Sequence, residues 1–266
     1  MKIFNMNDYP YLPTNTAKQF AKLKQKKHRH EAKAFIAEGL KVCEELLKSK
    51  YNCTDIIIND SLFDNGEARQ ILDSASERDI RIFRANDNII NKIADAITPQ
   101  GIIAIAEMPE LCLNHLADSI IALENIQDPG NLGTILRTAH WFGIKDILIS
   151  NESVDIYNPK VVRSTMGSLF HLIIKYSNDL IDYCKKHYPN HEIFASSLEA
   201  TQNLSDIKIP RNFAVFFGNE AKGLSEETLA KIENKYIIKG MGEAESLNLS
   251  IATGISLYQF TKSKIK

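Results

Sequence analysis

The chain has 266 residues, with 32 lysines and arginines against 33 aspartates and glutamates, 44% hydrophobic residues and 24% charged ones. At ~150 residues per domain, that length accommodates one large domain or two modest ones with a real core. The near-cancelling charge excludes wholesale disorder and a strongly polycationic chain, so any nucleic-acid partner has to be met by local patches.

Four cysteines, Cys43, Cys53, Cys112 and Cys184, form no CxxC pair and have no matching histidine spacing, which predicts reduced thiols in a cytosol and no metal site. Apolar runs such as Ile102 to Ala106 and Phe213 to Phe217 fall far short of the ~20 residues that cross a bilayer. Lysine-rich sequence near the start leaves no apolar signal core. The expectation is a soluble, cytoplasmic protein without a membrane partner.

In chain order, a basic stripe comes first. Lys18, Lys22, Lys24, Lys26, Lys27, Arg29 and Lys33, with His28 and His30, are set against the single acid Glu31; such a run is either a phosphate-binding surface or a solvated helix face. A helical pattern follows over Ala32 to Lys48, then a strand over Asp55 to Asn59, a helix over Glu67 to Glu77, a strand over Arg81 to Phe83, a helical turn region over Asn88 to Ala96 and a strand over Ile102 to Ala106. This alternation predicts a small α/β domain over residues 1–107. Pro109 and mixed sequence predict a linker over residues 108–117.

A second domain, residues 118–266, restarts the alternation. Strands are predicted over Ile120 to Glu124, Ile147 to Ser150, His171 to Tyr176, Ile193 to Ser196, Phe213 to Phe217 and Tyr236 to Lys239. Helices are predicted over Asn131 to Phe142, Pro159 to Met166 and Leu180 to His187, after Ser225, and over Leu247 to Phe260. Repeated βα units imply a mostly parallel sheet covered on both faces. Ligands bind such sheets beyond the carboxyl ends of the strands, which directs attention to three loops.

In the first of the adjoining helices, Leu132, Ile135, Leu136, Ala139 and Phe142 form one apolar stripe, and Arg137 lies well round from it. Arg137 is then either a solvated charge or a guanidinium that leans back toward the strand ends, and Asn131 either a cap or a site residue. In the second loop, Gly218 would allow close approach of backbone to a ligand, and Glu220 stands at the strand end as an acid or base, or as a polar turn residue. In the third, Gly240 and Gly242 precede Glu245-Ser246-Leu247-Asn248 at a helix N-terminus, where Ser246 is an N-cap or a ligand-facing group. Neither GxGxxG nor a Walker A sequence occurs, which disfavours a nicotinamide-dependent oxidoreductase and a P-loop nucleotide site.

Together, NIQDPGNLGTILRTA, FFGNEAKGLSEE and GEAESLNLSIATGI resemble the three motifs of the SpoU/TrmH family of RNA ribose 2'-O-methyltransferases, within the SPOUT class. The stretch from Asn158 to His171 resembles what the family carries between its first two motifs. The resemblance implies a C-terminal parallel-sheet SPOUT domain with a deep trefoil knot, a homodimer, and S-adenosylmethionine as methyl donor without a metal. It also implies a catalytic cluster of Asn131, Arg137, Glu220, Ser246 and Asn248, and a cofactor held near Phe217, Gly218, Ile238, Gly242, Ser246 and Leu247. The first domain is similar in length and alternation to the ribosomal-protein-like substrate domain of rRNA members, which favours rRNA over tRNA; Lys24, Lys26, Lys27 and Arg29 of the basic stripe, with Arg163 of the second domain, are the candidate RNA contacts. The chain departs from the family's frequent Pro-Met at Lys239-Gly240. The rival reading is an RNA-binding protein on the same fold without catalysis, against which the joint presence of the five polar residues argues.

Overall fold

A computed structural model describes residues 8–109 and 117–264. Cys112 and most of the expected linker lie outside the described residues. These residues fall into two compact units, one holding the chain up to residue 109 with Asp155–Phe170, the other holding residues 117–154 and 171–264. The stretch Asp155–Phe170, which chain order assigns to the second domain, therefore packs in the first unit.

The first unit starts with α1 (Thr14–Lys22) and α2 (Lys26–Ala32), then β1 (Ala34–Glu38), α3 (Leu40–Lys48), β2 (Cys53–Asn59), α4 (Gly66–Glu77), β3 (Arg81–Ala85), α5 (Asp87–Ile93) and β4 (Ile102–Glu107). The strands form a mixed sheet in the order β1-β4-β2-β3, with β2 parallel to β3 and both β1 and β2 antiparallel to β4. Ile56, Ile57 and Ile58 are all fully buried, which requires cover on both faces of β2. The expected helix over Ala32 to Lys48 is corrected here. Its first third is β1, which pairs Ala37 with Ala104 of β4, and Gly39 at φ +101° separates it from α3. A non-local partner overrode a local helical pattern.

Within this unit, Pro10 to Leu12 run along the free edge of β3: Arg84 N–H donates to Pro10 O and Leu12 N–H to Arg84 O, both at 2.9 Å. Asp155–Phe170 contributes Tyr157 and Phe170 to an aromatic cluster, their ring centroids 4.7 and 6.1 Å from that of Phe35. It also carries α7 (Pro159–Ser164).

The second unit contains β5 (Ser119–Leu123), α6 (Pro129–Trp141), β6 (Asp146–Ser150), β7 (Ile173–Ser177), α8 (Leu180–His187), β8 (Glu192–Ser196), β9 (Phe213–Phe217), α9 (Glu226–Ala230), β10 (Asn234–Tyr236) and α10 (Leu249–Thr261). Its six strands are all parallel, in the order β10-β8-β9-β5-β6-β7. Strands β5, β6 and β7 are added in one direction, after which the chain returns to place β9 on the other side of β5. The β5–β9 boundary is thus a topological switch point, where open parallel sheets form ligand crevices.

At one end of this sheet, Lys175 Nζ donates to Asp146 Oδ1 at 2.8 Å, and Tyr188 OH donates to the same oxygen at 3.1 Å, all three groups being buried. Helix α10 buries a mixed face, with Leu257 and Phe260 toward its C-terminal end. Ser250, Thr253 and Ser256 are buried, whereas Ile251, Ile255 and Tyr258 are exposed. The inward hydroxyls are satisfied locally, Thr253 donating to Leu249 O at 2.9 Å and Ser256 to Ala252 O at 2.8 Å, which lets a polar face pack against neighbours.

Candidate active site

Because the strands are parallel, Leu123, Ser150, Phe217 and Tyr236 all end at one edge of the sheet, and the loops that follow them build the site. After β5 the chain turns through Asn125 at φ +54°, a left-handed conformation that asparagine tolerates better than most residues. The amide of Asn125 donates to Ser150 Oγ at 2.8 Å and that of Ile126 to Ser153 Oγ at 3.0 Å, so hydroxyls at and just beyond the end of β6 satisfy this turn. Asp128 caps α6, accepting from Asn131 N–H at 2.7 Å, and Pro129 occupies the first helical turn, where its missing N–H costs nothing.

The loop after β9 folds back on itself. A Cβ at Gly218 would stand 2.1 Å from the carbonyl carbon of Gly223, so glycine is required there by the loop's own return, and the close approach expected to a ligand is an approach to Gly223 and Leu224. Glu220, carried outward by this loop, accepts from the amides of Gln127 at 3.4 Å and Asp128 at 3.2 Å. It therefore lies at the N-terminus of α6, where a negative charge is favoured. Glu124 plays a similar part at α9, accepting from Ser225 N–H at 2.8 Å and from Thr228 Oγ1 at 2.7 Å.

Three of the five expected catalytic residues are joined. Asn131 Nδ2 donates to Glu220 Oε1 at 3.3 Å, and Asn248 Nδ2 donates to Asn131 Oδ1 at 3.0 Å. Asn248 Oδ1 in turn accepts from Ser250 N–H at 2.9 Å, which makes Asn248, and not Ser246, the cap of α10. An ionised carboxylate only accepts, so Glu220 sets the direction of both amides in this chain. Arg137 and Ser246 are exposed, and among the described residues no hydrogen bond or ion pair engages either. Arg137 lies on the face of α6 opposite buried Leu132, Ile135, Leu136 and Ala139, as its spacing predicts.

Phe217 is buried at the end of β9, and Ile238 is half-buried after β10. From Ile238 to Leu247, no backbone hydrogen bond is made among the described residues, and a Cβ on Gly240 or Gly242 would meet nothing within 4 Å. That run of available N–H and C=O groups suits a ligand recognised through backbone, such as an adenosyl group. No cluster of three or more His, Cys, Asp or Glu is placed to hold a metal among the described residues.

Sequence reasoning missed Asn125, Gln127 and Asn219. Gln127 Nε2 donates to Asn125 Oδ1 at 2.6 Å and to Glu152 O at 2.8 Å, bracing the β5–α6 turn. Asn219 Nδ2 donates to Asn125 O at 2.9 Å. The available signal was the asparagine directly before Glu220, in a glycine-bounded turn.

In the first unit, the candidate RNA contacts separate. Lys26 and Lys27 are exposed. Lys24 Nζ donates to Lys92 O at 2.8 Å and to Ala94 O at 3.2 Å. Arg29 is only 1% exposed; it donates to Asp155 Oδ2 through Nε at 2.9 Å and to Leu23 O and Lys24 O at 2.9 and 2.8 Å. Its assignment as an RNA contact is corrected: a guanidinium fully engaged inside the protein has no donor to offer a phosphate. Arg163 donates to Asp95 Oδ2 at 3.0 Å and lies 3.6 Å from Glu38 Oε2.

Comparison with known proteins agrees with this architecture. Residues 118–258 match the SpoU rRNA Methylase family, and residues 14–104 match the MRM3-like substrate binding domain. The chain is 30% identical over 243 residues to the 23S rRNA (guanosine(2553)-2'-O)-methyltransferase RlmP of Bacillus subtilis, covering 91% of this chain and 94% of that protein. Among solved structures, the AdoMet-bound rRNA methyltransferase from Sinorhizobium meliloti superposes with a TM-score of 0.83 at 28% identity, over 97% of this chain and 98% of that one. An RNA 2'-O ribose methyltransferase superposes with a TM-score of 0.84 at 25% identity, over 96% of this chain and 98% of that one. With both of its units matched and its three polar loops gathered at the β5–β9 switch point, the chain belongs to the SpoU rRNA methylase family.

Proposed function

We propose that this protein methylates a ribose 2'-hydroxyl of rRNA, using S-adenosylmethionine and acting as a homodimer in the cytoplasm. The observation that carries the reading is the chain Glu220–Asn131–Asn248, in which three segments distant in sequence bring directed polar groups together. The match of residues 118–258 to the SpoU rRNA Methylase family and the likeness to a 23S rRNA methyltransferase support rRNA as the partner, and residues 14–104 match a substrate binding domain.

S-adenosylmethionine, when bound, supplies an already activated sulfonium methyl group. The remaining tasks are alignment of the 2'-oxygen and management of the charge it acquires. Arg137, exposed and without a protein partner among the described residues, anchors the substrate phosphate and the developing oxyanion. Asn131 and Asn248 present amides oriented by Glu220. Glu220, already accepting from several N–H donors, fixes those amides, and the hydroxyl proton passes to solvent with the assistance of this network as the oxygen takes the methyl group. Backbone around Phe217, Gly218, Ile238, Gly242, Ser246 and Leu247 holds the cofactor, within the family's C-terminal knot.

The dimer reading rests on Ile251, Ile255 and Tyr258, which repeat at helical spacing along the outer face of α10, together with Trp141 of α6 at 84% exposure. Exposed apolar side chains repeated along one helix face support association. Calorimetric titration with S-adenosylmethionine, followed by mapping of ribose methylation on rRNA from a strain lacking the protein, tests the proposal. Binding, and a site that regains its methyl group when the purified protein is added, are expected; a folded protein that binds no S-adenosylmethionine overturns it.

A further inference from the structure

We propose that Asn219 is a positioning residue for methyl transfer, whose carboxamide locks the loop bearing Glu220 to the turn that leads into α6 and Asn131. The inference rests on the methyltransferase reading above. The Oδ1 atom of Asn219 accepts from the amides of Ala221 at 3.0 Å and Lys222 at 3.1 Å, which closes the turn after β9. With its oxygen committed there, the NH2 group must face the other way, and it donates to Asn125 O at 2.9 Å and to Glu220 Oε2 at 3.4 Å. One side chain thus shapes its own loop through its acceptor and fastens the neighbouring loop through its donor. Asn125, held left-handed at φ +54°, presents its carbonyl to that donor. The chain Glu220–Asn131–Asn248 then begins from a carboxylate whose place is set by Asn219.

This division of labour predicts an asymmetric response to a nearly isosteric change. Asn219→Asp keeps an oxygen for Ala221 and Lys222, so the turn survives. The second oxygen of the new carboxylate would face the Asn125 carbonyl and the Glu220 carboxylate, both acceptors, and would push the loops apart. Protonation restores a donor at that position. The Glu220 carboxylate alongside raises the pKa of the new carboxyl, while the Ala221 and Lys222 amides and the Lys222 ammonium favour its ionised form, so the rescue is expected at the acid end of the range.

The test is single-turnover methyl transfer with saturating S-adenosylmethionine for wild type and Asn219→Asp between pH 5.5 and 8.5, with melting curves at each pH. We expect the variant at pH 8.5 to be slower by ~10-fold or more, the scale on which misplacement of reacting groups acts, with less than a threefold change in KM for the donor, and the deficit to shrink as pH falls. A folded variant with the wild-type rate, or with the same deficit at every pH, overturns the proposal. A wild-type protein that transfers no methyl group instead overturns the reading on which it rests. Should the variant not fold, hydrogen exchange of the Asn219 side-chain amide in the labelled wild-type protein decides: protection of ~10-fold or more over an exposed asparagine amide is expected for a doubly engaged NH2, and exchange at the exposed rate overturns it.

Discussion

Asn248 reaches across 117 positions of sequence to donate from Nδ2 to Asn131 Oδ1 at 3.0 Å, while its own Oδ1 caps α10 through the Ser250 amide. Structure and chemistry therefore draw on opposite ends of one carboxamide. Asn248→Asp retains the cap oxygen and should hold stability to within ~1 kcal/mol, the scale of a single cap. It replaces the donor with an acceptor facing Asn131 Oδ1, and Asn131 cannot turn over without losing Glu220. Transfer should fall by ~10-fold or more at constant stability, as expected when oriented groups lose their geometry. Urea melts together with single-turnover rates check this, and an unchanged rate would detach Asn248 from the site.

Arg137 should behave as a residue of function alone. It is exposed and its side chain makes no hydrogen bond or ion pair among the described residues, so Arg137→Ala should change unfolding free energy by no more than about 0.5 kcal/mol. Methyl transfer should collapse, and Arg137→Lys should not restore it, because an ammonium cannot reproduce a planar fork of donors. Wild-type transfer by a folded Arg137→Ala protein would remove the centre of the proposed mechanism.

The parts of this molecule that read directly from sequence are those decided locally. Leu180–His187 and Phe213–Phe217 have in the structure the bounds that their patterns predict. Ala34–Glu38 reads as helix because nothing nearby reveals its partner β4, almost 70 residues away. Asn131, Glu220 and Asn248 are legible as a motif, whereas Asn125 and Asn219 act through loop closure and leave no periodic trace. Arg29 looks like its basic neighbours; only Asp155, 126 positions further on, distinguishes it.

Alkaline pH should loosen the second unit through its buried thiol. Burial pushes Cys184 from its ordinary value near 9 up to about 12, and burial also raises Tyr188, further raised by Asp146. Below pH 9 both folded and unfolded chains keep the Cys184 proton, and its contribution is fully present. Between about 9 and 12 the unfolded chain releases that proton while the folded chain retains it, so stability falls as pH rises, with a limiting slope of about 1.4 kcal/mol per pH unit for each such group. Urea midpoints measured from pH 7.5 to 10.5 should decline, and Cys184→Ala should decline less steeply. Parallel curves for the two proteins would show that this thiol is not linked to folding.

The basic stripe should divide into a structural and a functional half. Arg29→Ala leaves Asp155 buried without its partner and strips Leu23 O and Lys24 O, at the end of α1, of their donor. Removing one member of a buried pair typically costs 3–5 kcal/mol, a loss of about that size is expected here, and the double change Arg29→Met with Asp155→Leu should recover much of it, because no uncompensated charge remains. Lys26 and Lys27 are exposed, and Lys26→Ala with Lys27→Ala should leave the urea midpoint almost unmoved. If these lysines meet phosphates, the paired change should lower the slope of log affinity for rRNA against log salt by about 1–2, because each lost contact releases one fewer counterion. Filter binding at three salt concentrations measures that slope beside the melts. An Arg29→Ala protein as stable as wild type would contradict the buried pair, and an unchanged salt slope for the lysine variant would make the outer face of α2 a solvated surface only.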